Sequence, residues 1–449
     1  MAATRKMQPD LIGRLIKHWP DELSGQCAFE VGLSGGLDSV ALLSLLCRIR
    51  EQRPQLRLSA VHVHHGLSPN ADAWAEHCRR LCGALQVPLR VERVALQLAG
   101  GDSLEAVARE ARYAVYRESA AEVVALAHHL DDQAETVLLQ LLRGGGVRAL
   151  AAMPALRPLA DGKLLWRPLL GLTRLQLEQY VRRQGLSWVE DESNQDTRYR
   201  RNLLRRDILP RIAQGIPDYR QHLARAAALQ ADAAAILQEV ALVDLQACRV
   251  AAGLDFLAVA ALSAPRQRQL LLAWLQELGW AAPEPGALQE FLRQAQQAAA
   301  ASCPQLALPS GHVLRFADTL QAWPKVQLDQ ASEVLPDCRG GPALVLPRWG
   351  GELSWEWREH GLPDDLLAAG LRLGLRQGGE KLSARTGRRE VKDLLREAGL
   401  PPLLRQRWPL LYGADGQLLA LPGIAVAFAH SAGPGWWPQW TPARSGRSR

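Results

Sequence analysis

Residues 27–46 read CAFEVGLSGGLDSVALLSLL. Six residues, Ser34 to Ser39, all small or polar but Leu37, interrupt two apolar runs. The first run is short and holds aromatic and β-branched residues, so it reads as a buried strand. The second is long and leucine-rich, so it reads as a buried helix. At a strand-to-helix junction the first helical N–H groups are unpaired, and the helix dipole favours an anion there. Gly35 and Gly36 let the backbone approach a phosphate without a Cβ in the way. Ser34 and Ser39 offer hydroxyls, and Asp38 can hold Mg²⁺ or position a group near the phosphates. The bland alternative is a tight turn with Asp38 and Ser39 capping the helix. The full hexapeptide in this context favours phosphate binding by Ser34, Gly35, Gly36, Leu37, Asp38 and Ser39. No lysine stands where a Walker A loop needs one, so simple γ-phosphate hydrolysis is not the natural reading.

Outward from this stretch, short β-rich runs alternate with longer helical ones from 27 to about 190, which argues for an α/β domain with a mostly parallel sheet. Ser68-Pro69 and the pair Asp102 and Glu105 read as helix starts. Near Pro217 the composition turns alanine- and leucine-rich and helical, and ALPSGHVLRFADTLQAW (307–323) resembles a small hairpin. The Pro/Gly-rich stretch near 340 marks a second boundary. The division expected is an α/β catalytic domain over 1–216, a mainly helical middle domain over 217–335, a small α+β domain over 340–436, and a disordered tail over 437–449.

The chain has 449 residues, a formal net charge of +7 and seven cysteines, none in a CxxC pair. An odd cysteine count without a framework points to a reducing, cytoplasmic setting. No apolar run reaches the roughly 20 residues that span a bilayer, so no membrane role is expected. The positive balance leans mildly toward an anionic partner.

HHLDDQAET (128–136) follows a strand, at the end where open α/β sheets place ligands. Asp131 and Glu135 are four apart and Asp132 and Glu135 three apart; either pair can face a metal, and Asp132 and Glu135 are preferred as its partners together with Asp38. The competing reading is helix capping by acids in a first turn. His128 and His129 are open between a direct role and none. In EAVAREARYAVY (105–116), Arg109, Arg112, Tyr113 and Tyr116 form a face suited to phosphates and an unstacked base. Arg198, Arg200, Arg201, Arg205, Arg206 and Arg211 crowd one amphipathic segment, and Arg201 and Arg205 are expected to meet RNA or ATP phosphates. RGGGVR (143–148) is either a closing loop or a helix end capped by Gly144. Near the C-terminus, a helix expected over 388–399 presents Arg388, Lys392 and Arg396 as a line of charge for docking RNA.

SGGLDS resembles the pyrophosphate loop of the PP-loop ATPase family, whose fold is adenine-nucleotide α-hydrolase-like. VHVHHGLSPNADAWAEHC (61–78), EAVAREARY (105–113), LAHHLDDQAETVLLQLLRGGGVRALAAM (126–153) and DESNQDTRYRRNLLRRDILP (191–210) look like successive motifs of the tRNA(Ile)-lysidine synthetase family. RQGGEKLSARTGRREVKDLLREAGLPPLLRQRWPLLY (376–412) and LLALPGI (418–424) are similar to that family's C-terminal domain. The resemblance implies cleavage of ATP between its α and β phosphates and adenylation of the C2 oxygen of the wobble cytidine in the CAU anticodon of isoleucine tRNA. Attack by the amine of free lysine then gives lysidine, AMP and pyrophosphate. It implies ATP and Mg²⁺, with Asp38, Arg112, Asp132, Glu135 and Arg205 as the catalytic set and Arg112 at the α-phosphate. A PP-loop tRNA thiolase and a non-catalytic tRNA-binding protein are the alternatives. Residues holding lysine and the oligomeric state are not legible.

Overall fold

A computed structural model describes residues 10–96, 104–190, 192, 200–299, 302–326, 332–336, 342–431 and 433–443. The chain forms two compact units, one up to Ala235 and the other from Ile236. The boundary between the units falls within the helix Tyr219–Ala247.

The first unit is built on strands β1 (Ala28–Gly32), β2 (Arg57–His64), β3 (Leu89–Arg93), β4 (Val123–Ala125), β5 (Leu156–Ala160) and β6 (Lys163–Trp166). They lie in the order β3-β2-β1-β4-β6-β5. All neighbours are parallel except the edge pair β5 and β6. Helices α1 (Leu11–Lys17), α2 (Leu37–Gln52), α3 (Ala71–Ala84), α4 (Leu104–Arg117), α5 (Leu130–Leu142), α6 (Val147–Leu150) and α7 (Arg174–Arg183) accompany the sheet. β1 is central, with Val31 registered against Ala60 of β2 and Ala125 of β4. A central parallel strand is covered on both faces, which is why CAFEVGL is apolar almost throughout. Its one charged residue, Glu30, is buried and takes a hydrogen bond from Arg90 Nη2 at 3.1 Å. Trp166 packs edge to face on Trp19 and Phe29, which are tilted against each other, with centroids 4.6 to 6.0 Å apart.

From β1 the chain runs to β2 on one side, while β4 lies on the other. The crevice outside the carboxyl ends of β1 and β4 is the topological switch point, where such sheets bind ligands. SGGLDS and HHLDDQAET both open into it.

Two helix starts differ from expectation. The N-cap of α3 is Asn70, two residues after Ser68, whose Oγ instead accepts from Asn70 N–H at 3.1 Å. Asp102 lies outside the described residues. Gly144 (φ +73°) ends α5 as a Schellman cap: Gly145 N–H donates to Gln140 O at 2.8 Å, and Gly144 N–H to Leu141 O at 3.0 Å. The capping reading of RGGGVR is the one realised.

The arginine-rich segment forms α8 (Arg200–Leu203), a π-helical turn over Leu204–Ile208, and α9 (Leu209–Gly215). Then comes α10 (Tyr219–Ala247), 29 residues long. By length and composition α10 is apolar enough to cross a membrane, against the expectation that no run is. Alanine supplies much of that hydropathy, and Arg220, Arg225, Asp232, Glu239 and Asp244 punctuate the helix.

The second unit begins with helices around a five-stranded antiparallel sheet, in which the expected hairpin appears as strands 311–316 and 319–324. Further on are antiparallel sheets of five, three and two strands. Residues 437–442, assigned from sequence to a disordered tail, belong to strand Gly435–Pro442, which pairs with Gly351–Arg358 and buries Trp440. Two more tryptophans, Trp436 and Trp437, make that segment a strand former; 444–449 lie outside the described residues.

Trp166 is 2 % exposed and touches both other aromatic rings of its cluster. Trp166→Ala should cost about 3–5 kcal/mol. Urea unfolding followed by circular dichroism should show the lower midpoint.

Candidate active site

Gly36 is the N-cap of α2, and no side chain caps that terminus. The bland reading, with Asp38 and Ser39 as caps, is not realised. The first-turn amides, beginning with Leu37, are left to a ligand. Gly35 has φ +86°, and a Cβ there would lie 3.1 Å from both Cys78 Sγ and Val189 Cγ2. Its carbonyl accepts from Val189 N–H at 3.0 Å, which latches the loop from behind. Ser34 Oγ accepts from Gly36 N–H at 3.3 Å and lies 3.1 Å from Ser39 Oγ, which contacts Gly36 O at 2.9 Å. The serines thus shape the loop, and the exposed Ser34 is free to turn outward.

Asp38 brings the loop to the other strand end. Its Oδ2 is 3.6 Å from His129 Nε2, while its Oδ1 is buried and has no partner among the described residues. His129 caps α5 in a capping box: Asp132 N–H donates to His129 Nδ1 at 3.3 Å, and His129 N–H donates to Asp132 Oδ2 at 3.0 Å. Burial opposes a charge on His129, but hydrogen bonding to Asp38 and the charges of Asp132, Asp38 and Asp131 outweigh it and raise its pKa. His128 behaves oppositely. Burial, with help from Arg167, Arg201 and Arg109 against Asp132, lowers its pKa to about 3 and keeps the ring neutral.

Asp132 and Glu135 face the arginine segment. Arg201 donates to Asp132 Oδ1 and Glu135 Oε2, both at 2.7 Å. Arg205 donates to Asp132 Oδ1 at 3.0 Å and to Glu135 Oε1 and Oε2 at 2.6 and 2.9 Å. The side chain of Glu135 is 1 % exposed. The sequence reading gave both acids to Mg²⁺ and both arginines to phosphates. In this arrangement the four charges satisfy one another, because three- and four-residue spacing on two helices lets two forks meet two carboxylates. Among the described residues no group of three metal-binding side chains converges. Asp38, with an orphaned buried oxygen, is the residue whose chemistry fits a cation.

Arg112 is exposed and has no acidic partner among the described residues, which suits an incoming anion. Tyr113 and Tyr116, expected to face RNA, are instead buried with Val61, Val124 and Leu126. The helical face carries its arginines outward and its rings inward. Sequence reasoning missed Arg157 and Arg167, which gather around Tyr113 from the β5–β6 hairpin and its exit; a lone arginine after an apolar strand gives no signal. In the second unit the expected helix 388–399 is a strand, Arg388–Glu390, followed by a helix, Val391–Glu397. Lys392 pairs with Glu390 at 2.6 Å and Arg396 with Asp393 at 3.0 Å. The line of free charge is thereby broken, and Arg388 alone of the three has no acidic partner among the described residues.

A parallel sheet with a glycine-rich phosphate loop at its switch point and an aspartate beside it defines a PP-loop nucleotide-binding protein. The PP-loop domain family matches residues 9–212. The TilS substrate binding domain matches 254–321 and the TilS substrate C-terminal domain 371–440. A tRNA(Ile)-lysidine synthase of Chromobacterium violaceum is 70% identical over 96% of this chain and 99% of its own. Another from Pseudomonas aeruginosa is 43% identical over 94% of each. The chain belongs to the tRNA(Ile)-lysidine synthase family. A U34-tRNA thiolase from Methanococcus maripaludis is 18% identical, with a TM-score of 0.42 over 48% of this chain and 77% of that one, a likeness that decides nothing about activity.

Two outcomes follow from this geometry. Gly35→Ala puts a side chain at positive φ, at roughly 1–2 kcal/mol, and presses on Cys78 and Val189. The KM for ATP should rise at least tenfold, as read by initial rates. Burial raises the pKa of Asp132, but His129, Arg201 and His128 together bring it down to about 2. An unfolded aspartate titrates near about 3.9. The stabilisation is therefore present above about pH 4 and lost as pH falls toward 2. Asp132→Asn should cost about 3 kcal/mol at pH 7, and urea midpoints against pH should converge with wild type in acid.

Proposed function

We propose that this chain, a ligase acting on tRNA, joins L-lysine to C2 of the wobble cytidine in the CAU anticodon of isoleucine tRNA, in the cytoplasm. The reading is carried by one observation: a chain of near full-length identity to lysidine synthases keeps its phosphate loop open beside an aspartate with an unpartnered oxygen.

The loop amides after Gly36 bind the phosphates of ATP. The cytidine C2 oxygen attacks the α-phosphorus, and the bond to the β-phosphate oxygen breaks, releasing pyrophosphate with its electron pair. Arg112 neutralises charge that develops on the α-phosphate. Asp38 would hold Mg²⁺, which supplies charge neutralisation to the phosphates when bound. The lysine amine then attacks C2, AMP leaves with the C2–O bond pair, and the amine loses a proton. Arg201 and Arg205 fix Asp132 and Glu135 and with them the position of His129 against Asp38. Arg388, Lys392 and Arg396 contribute to tRNA docking, Arg388 foremost.

Sulfur transfer is disfavoured because the sequence holds no CxxC pair. Burial pushes the Cys78 and Cys82 thiols up to about 12 and about 11, so neither forms the thiolate that sulfur chemistry needs.

Incubation of a CAU transcript with ATP, Mg²⁺ and labelled lysine should place label in RNA and release AMP and pyrophosphate. Asp38→Ala should reduce this at least a hundredfold while tRNA affinity changes little. ADP as the main tRNA-dependent product, or normal turnover by the variant, would sink the reading.

A further inference from the structure

Three guanidinium groups surround Tyr113. Arg109 and Arg157 lie over its ring, 5.1 and 5.3 Å from the centroid. Arg109 and Arg167 each donate to its hydroxyl at 3.4 Å. Arg167 directly follows β6 and is 3 % exposed. Its Nη1 donates to Pro154 O at 2.8 Å, and its buried Nε has no partner. None of the three arginines meets a carboxylate among the described residues. His128, at the end of β4, also keeps a buried Nδ1 without a partner.

A buried guanidinium without a counterion costs several kcal/mol (on the order of 3–5). Arg201 and Arg205, half-buried in the same crevice, each meet two carboxylates. The missing partner here is an anion from outside. Arg167 follows β6 and His128 follows β4, and the charges of Arg167 and Arg109 act on the His128 ring, so the Tyr113 cluster stands at the carboxyl ends of these two strands. We propose that Arg109, Arg157 and Arg167 form the subsite for the α-carboxylate of the amino-acid substrate, with the His128 imidazole accepting from its α-ammonium group. This rests on the reading of the chain as a lysine ligase.

A carboxylate is favoured over a backbone phosphate of tRNA on three grounds. Arg167, at 3 % exposure, is too deeply buried for a polymer backbone. Its free Nε, next to a weakly held Nη2, is the side-on edge that pairs with a carboxylate. A neutral imidazole acceptor matches an ammonium, and a phosphodiester has none. Holding the α-amino-acid head leaves the side-chain amine as the only free nucleophile.

The test compares lysine with 1,5-diaminopentane, which lacks the carboxylate, as amine substrate. Wild type should prefer lysine strongly in kcat/KM. In Arg167→Gln the KM for lysine should rise at least tenfold, and the preference over the diamine should fall by the same factor. Arg109→Gln, at an exposed position, should show the same trend if the buried variant folds poorly. An unchanged preference in folded variants overturns the subsite. A raised KM for tRNA with a flatter salt dependence and unchanged amine preference overturns it in favour of phosphate contact. Failure of wild type to use lysine at all overturns the ligase reading itself, a result separable from the others.

Discussion

The crevice depends on one interaction, the four-charge cluster of Asp132 and Glu135 with Arg201 and Arg205. Glu135 is almost wholly inside the protein, and an ionised carboxylate survives there only with charged donors on both oxygens. Both donors come from a segment some 70 residues away in sequence. That segment is thereby held across the start of α5. The same acid, Asp132, completes the capping box with His129, and His129 reaches Asp38 in the phosphate loop. One network therefore ties the ends of β1 and β4 to the arginine segment, although none of these elements is adjacent in the chain.

The α/β half was legible because its signals are local. CAFEVGL is apolar on both faces, as a central parallel strand must be, and SGGLDS can only be a strand-to-helix turn. Comparison with lysidine synthases supports the reading of ATP and tRNA chemistry that the motifs suggested. What the sequence withheld is partnership. Asp132 and Glu135 look alike whether they bind a metal or an arginine, since both uses want carboxylates on one helical face. Only the fold reveals that Arg201 and Arg205 arrive there.

The tyrosines show the converse limit. Tyr113 and Tyr116 sit on the same sequence face as Arg109 and Arg112, and spacing alone assigns them together. On the helix the rings turn into the apolar cluster with Val124 and Leu165, and the long arginine stems carry their charges past them. In the second unit, the pairing of Lys392 with Glu390 depends on a strand-to-helix break at Glu390, whereas Asp393 and Arg396 pair at ordinary helical spacing. Residues 437–442 sit beside a charged end that looks disordered, yet tryptophan burial decides their fate.

The hydrogen bond from Val189 to Gly35 gives the phosphate loop a tether. A loop latched from behind is shaped before its ligand comes. The ordering that phosphate binding would otherwise have to supply is already met by the folded chain, so more of the contact energy is left to hold the nucleotide.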